Sequence, residues 1–233
     1  MTNDDKLSEL IAVCNQMNQI HENRFFISLN DPTYMNVSGL MLFYQSHKHF
    51  GLAVDHWSRV LAKLVSTAES HNERRVLLKN LSDENCQCEL SHVQTFQNFL
   101  NVIKNLISDQ TMDNWIANNA VKSFVDAIHD VVDNKQHSEE YKYAFMGMIE
   151  FTYIEVSKCI HNFVSRFVDP SMIPHYSLHE IMDVTHSTDF LSLCVPAYRS
   201  IECDRTDDIM NGIRDGYAVF YKLYDCMGNV FNA

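Results

Sequence analysis

Apolar residues recur at steps of three and four along most of the chain. The clearest stretches are "VDHWSRVLAKLVSTAE" (54–69), "VQTFQNFLNVIKNLI" (93–107), "YAFMGMIEFTYIEVSKCIHNFVSRFV" (143–168) and "IMNGIRDGYAVFYKLYDCM" (209–227). That period marks helices with one face turned to a core. Alternation of period two beside Gly-containing turns is not sustained anywhere, so strands are not expected. The breaks are short: "LNDPTYMN" (29–36), "NLSDENCQCE" (80–89), "ISDQTMDN" (107–114), "VDNKQHSEE" (132–140), "VDPSMIP" (168–174) and "CVPAYRSIECDRTDD" (194–208). No long linker, fixed-period repeat or low-complexity tract interrupts them. The pattern predicts an all-α fold of about seven or eight helices in a single domain spanning 1–233.

Composition sharpens this picture. A chain of 233 residues can bury a sizeable core without disulfides or a structural metal. Six glycines and four prolines are few, as a helix-rich chain requires, and no run of 18 apolar residues is present to span a membrane. The balance of 18 Lys+Arg against 30 Asp+Glu gives a net charge of −12, which argues against nucleic acid or an anionic membrane surface as partner. The seven cysteines are odd in number and scattered, and "MTNDDKLSEL" carries neither the basic segment nor the apolar core of a leader. Reduced thiols in a cytoplasmic protein are expected. Cys86 and Cys88 stand closer than the cysteines of common zinc pairs and lack a second pair, so they read as small semi-buried residues near a turn.

Candidate chemistry begins at "HEIMDVTH" (179–186). On a helix advancing about 100° per residue, His179, Asp183 and His186 look the same way, within roughly 60° of one another. Glu150 lies at helical spacing from Phe145, Met146, Ile149, Tyr153 and Ile154, so its carboxylate is expected to be buried and to need a cation, a metal or strong donors. Glu155 points elsewhere, towards solvent. His92 opens an apolar-periodic helix, with Glu89 and Glu84 before it. On one unbroken helix Glu89 and His92 are neighbours, whereas Glu84 lies roughly 12 Å away along the axis. Glu84 reaches His92 only if the chain bends near Asn85, a residue type that favours helix ends. Spacing leaves both glutamates open. His47 and His49 face different ways, and His71, His129, His137 and His161 lack a regular acidic or histidine partner, so these read as structural.

These motifs, in this order, resemble the haem-oxygenase-like di-iron oxidases and oxygenases. The likeness rests on "NLSDE" (80–84) followed by His92, "MIE" ending at Glu150, and His-x3-Asp-x2-His at 179–186, and extends over roughly 20–190 with "ENRFFISL" and "LMLFYQSHKHFGLAVDHWSRVLAKL". The resemblance implies a haem-oxygenase-like helical bundle with Glu84, His92, Glu150, His179, Asp183 and His186 as metal ligands. "ELSH" (89–92) looks like the Glu-x2-His of the family's alkene-forming fatty-acid decarboxylase, which keeps Glu89 as an alternative or extra ligand. Lys158 stands two positions away from the place of a reactive lysine in one member, so no lysine-assisted step is expected.

Three carboxylates and three imidazoles suit two ferrous ions, with dioxygen as co-substrate. The implied activity is that of an oxidoreductase in which dioxygen becomes a bridged peroxide that attacks a small bound substrate. Members act on free amino acids or fatty acids; an amino acid is favoured here, with tryptophan-to-nitrile conversion as the specific expectation. Fourteen Phe, ten Tyr and eleven Met could line such a pocket, although core packing accounts for most of them. An external electron donor and a homodimer are compatible with this reading. A competing one is a protein-interaction module, suggested by a member that associates with death domains. A cysteine-nucleophile hydrolase is disfavoured, because no cysteine has an acid–base partner nearby in sequence.

Overall fold

The computed structural model describes residues 1–86, 90–107 and 115–232, with Cys86, Trp115 and Asn232 through their backbone alone. Glu89 and Cys88 therefore lie outside the described residues. The described chain forms α1 (Asn3–Met17), α2 (Arg24–Asn30), α3 (Val37–His47), α4 (Gly51–Thr67), α5 (His71–Cys86), α6 (His92–Lys104), α7 (Trp115–Asp133), α8 (Glu139–Val164), α9 (Pro174–Cys194) and α10 (Thr206–Met227), and no strand occurs among these residues. The all-α bundle expected from the periodicity is what the chain forms, cut more finely near its start. Asn23 caps α2 by accepting from the Phe25 amide, Asp31 and Pro32 end it in a short 3-10 turn, and Asn36 caps α3 through the Gly39 amide. Each side chain gives a free helix-end N–H an acceptor, so short helices start where a coarse reading sees one segment.

Helix α8 is the axis of the molecule. Its 26 residues are buried on nearly every face, and its most extensive packing is against α9 and α10. Glycines set the distance to α10: a Cβ at Gly216 would lie 2.5 Å from the Phe145 carbonyl oxygen, and one at Gly212 would lie 2.4 Å from that of Tyr141. Only glycine permits this approach of two backbones. Around the axis, α4 packs on α5 and α7, while α6 crosses against α4 and α9. The core between them is aromatic, with Phe43, Phe96, Phe99, Phe145, Phe163, Tyr176 and Tyr224 fully buried. Cys14, Cys159, Cys194, Cys203 and Cys226 are unpaired thiols. No helix of the described residues is long and apolar enough to cross a membrane.

Candidate metal centre

Four helices deliver polar side chains into this aromatic interior. The last turns of α5 supply Glu84, the first residue of α6 is His92, the middle of α8 supplies Glu150, and α9 supplies His179, Asp183 and His186. All six are buried: the three carboxylates are 3%, 3% and 0% exposed in chain order. The bend that Glu84 requires is present. Helix α5 ends at Cys86, and α6 restarts at His92 behind a capping box in which Ser91 and Gln94 satisfy each other's backbone. Across this break the Glu84 Oε2 lies 2.7 Å from His92 Nδ1, although eight residues separate them.

The hydrogen bonds turn one nitrogen of each ring into a bare ligand atom. His92 donates from Nδ1 to Glu84, and His179 Nδ1 faces both Asp183 oxygens at 3.0 and 3.2 Å. His186 instead donates from Nε2 to Asp83, at 3.3 Å. That leaves Nε2 of His92, Nε2 of His179 and Nδ1 of His186 buried without partners, together with Oε1 of Glu84. Buried polar atoms without partners are costly, and a cation satisfies all of them together. His186 Nδ1 stands 3.7 Å from Glu84 Oε1, 3.8 Å from Glu150 Oε1 and 3.8 Å from Asp183 Oδ1. Ligand atoms of Glu84, Glu150 and His186 all lie within 4.8 Å of one another. Glu84 thus sits between two groups, the imidazoles of His92 and His179 on one side and the carboxylates with His186 on the other.

Electrostatics point the same way. Burial pushes the Glu150 carboxyl well above its ordinary range, helped by the charges of Asp183 and Glu84. Burial, then Glu84, does the same to Asp183. Burial also acts on Glu84, but the hydrogen bond from His92 and the nearby imidazoles outweigh it and hold that carboxyl low. Burial pushes His179 and His186 down, so their rings are neutral and able to ligate. Burial that disfavours charge on Glu150 and Asp183 and on the imidazoles beside them leaves a set that a bound cation would compensate. The residues present fit a pair of divalent metals with oxygen and nitrogen ligands.

Trp57, Lys79 and His175 are not singled out by the sequence patterns, whereas Asn80 and Asp83 lie within "NLSDE" (80–84). Trp57, on α4, donates its indole N–H to Glu150 Oε1 at 2.9 Å. Asp83 fixes the His186 ring, and Lys79 braces Asp189 at 2.8 Å with help from Asn80. His175, one turn before His179, is 1% exposed and has its own ring nitrogen without a partner. A signal for it was present, since 175, 179 and 183 repeat every four residues. Three of the histidines read as structural have neighbours outside the centre: His47 stacks on Phe43, His129 meets His56, and His161 pairs with Glu180.

A cavity of about 50 Å³ opens onto the centre. Its walls are Phe50, Ala53, Val54 and Trp57 of α4, Phe124 of α7, Ile149 and Tyr153 of α8, and Phe220 of α10, with Glu84, Glu150 and His179 at its floor. Among the described residues no lysine or arginine lines it.

A family model described as iron-containing redox enzyme matches residues 45–221. Two crystal structures of a CADD-like protein of unknown function from Nostoc punctiforme PCC 73102 share the fold. One superposes with a TM-score of 0.70 at 15% identity, covering 96% of this chain and 97% of that one. The other gives 0.64 at 14% identity, covering 95% of each chain. No curated protein matches the sequence. The matched region contains all six residues of the centre, and the chain belongs to the family of iron-containing redox enzymes.

Proposed function

We propose that the protein is a non-haem di-iron oxidase that uses dioxygen to oxidise a small molecule with a polar head and a compact apolar body, a free amino acid being favoured. One observation carries this reading: three buried carboxylates and three imidazoles from four helices converge beside an apolar cavity, with one oxygen of Glu84 and one nitrogen of each imidazole left unpartnered. Glu84, His92, Glu150, His179, Asp183 and His186 would hold two ferrous ions. When bound, these ions supply the electrons and the open coordination positions for dioxygen.

The chain's own share is positioning and exclusion of water. Trp57 keeps Glu150 oriented through its indole hydrogen bond, and Asp83 keeps the ligating face of His186 turned inward. The aromatic walls of the cavity shield the site from bulk water and hold the apolar part of the substrate. With no cationic side chain among the described lining residues, the cavity walls offer a substrate carboxylate no ion-pair partner, a role that bound metals would supply, while Glu84 and Glu150 at the floor would lie beside an amine. The aromatic lining suits an aromatic side chain. Tryptophan, with conversion to an indole nitrile, is the specific candidate among amino acids.

The test is to load the protein with ferrous iron without oxygen, then mix it with oxygen in stopped flow alongside free amino acids, tryptophan included, and fatty acids. Oxygen consumption that one amino acid accelerates supports the reading. Acceleration by fatty acids alone would replace the substrate class, and oxygen consumption no faster than that of free iron would sink the oxidase.

A further inference from the structure

His175 belongs to none of the motifs, yet it lies against the imidazole side of the centre. Its ring centre is 4.7 Å from that of His179 and 6.2 Å from that of His92, while His92 and His179 are 4.5 Å apart. Two imidazoles bound at right angles to one ion at about 2.1 Å place their ring centres about 4.5 Å apart, and a wide angle opens this to about 6 Å. The three ring centres are thus close enough for one ion to be shared among the rings, with His179 between the other two.

The tautomer of His175 follows from its neighbour. Thr95 donates its hydroxyl hydrogen to the His92 carbonyl at 3.0 Å, so toward His175 it can only accept. His175 Nδ1, 2.9 Å from that oxygen, must carry the hydrogen. Nε2 is then a bare lone pair, buried and without a partner. The same division holds in His92 and His179, whose Nδ1 atoms are tied to carboxylates and whose Nε2 atoms are unpartnered. Three rings on two helices thus present the same free atom. Apolar packing alone does not explain a histidine among Phe96, Phe99 and Tyr176, where a phenyl ring would fit without an orphaned nitrogen.

We propose that His175 is a fourth histidine ligand of the centre, its Nε2 joining His92 and His179 around one metal while Thr95 fixes its orientation. The inference rests on the metal-centre reading above. It makes the two metal positions unequal, one rich in imidazole and the other in carboxylate.

Cobalt(II) serves as the probe, because each histidine bound to it gives one strongly shifted proton resonance from its other ring N–H that vanishes in deuterium oxide. The cobalt-loaded wild type is expected to show four such resonances, and His175→Phe three. Anaerobic ferrous titration of His175→Phe should find one of two ions bound about ten- to a hundredfold more weakly and the other unchanged. Three resonances in the wild type would overturn the proposal without need of any variant, as would unchanged ferrous affinity in a folded His175→Phe. Failure of the wild type to take up cobalt or iron would instead overturn the metal centre itself.

Discussion

Replacing Glu150 by Gln separates the cost of building the centre from its use. A glutamine keeps the Trp57 hydrogen bond through its carbonyl oxygen and donates to Asp183 through its amide, with no proton to hold. In the metal-free protein, burial and then the charges of Asp183 and Glu84 raise the Glu150 carboxyl well above 4.5. A group raised in this way binds its proton more tightly folded than unfolded. Its stabilising contribution is complete below pH 4.5 and is lost as pH rises towards the folded-state value. Between pH 4.5 and the folded-state value the loss runs at about 1.4 kcal/mol per pH unit. At roughly 2–4 °C per kcal/mol for a chain of this size, that amounts to about 3–6 °C in Tm per pH unit. Calorimetry in chelator should therefore give wild type and Glu150→Gln similar Tm values near pH 4.5 and a variant that gains on the wild type at about this rate as pH rises from there. Ferrous iron should reverse the order by stabilising only the wild type. Equal pH slopes in the two metal-free proteins, or a variant less stable throughout, would refute the reasoning.

Other perturbations read other parts of the account. Trp57→Phe removes the N–H that Glu150 Oε1 accepts and should weaken ferrous binding about ten- to a hundredfold by anaerobic titration, with circular dichroism unchanged. Burial lowers His47 from 6.5 to about 3, so the stability it contributes is present above pH 6.5 and lost as pH falls towards 3. His47→Phe, which keeps the stacking on Phe43, should flatten that acid-side decline in Tm. Gly216→Ala puts a methyl 2.5 Å from the Phe145 carbonyl oxygen and should cost about 1–3 kcal/mol, read from the urea midpoint.

The parts of the centre that sit on one helix were legible in the sequence. His179, Asp183 and His186 follow from helical period alone, and Glu150 from a charge set among apolar neighbours. The pairing of Glu84 with His92 was not fixed by spacing, because it depends on a break between α5 and α6 whose geometry no periodicity reports. The family pattern pointed to Glu84 there. Trp57 escaped notice because an indole in an amphipathic helix reads as core, and its polar N–H matters only once α4 meets α8. Thr95 and Asp83 act through rings on other segments, which sequence distance hides. The cavity was invisible for the same reason, its walls coming from α4, α7, α8 and α10. At the start of the chain, asparagine caps cut the helices more finely than hydrophobic period suggests.

Under the proposed function, Glu84, His92, Glu150, His179, Asp183 and His186 together hold two irons. The most direct measurement is an anaerobic ferrous titration with an iron count per chain for the wild type, His179→Ala and His186→Ala. The account predicts two irons in the wild type and at most one in each variant, with the helical circular dichroism preserved in all three. Fewer than one iron in the wild type, or two in both variants, would contradict it.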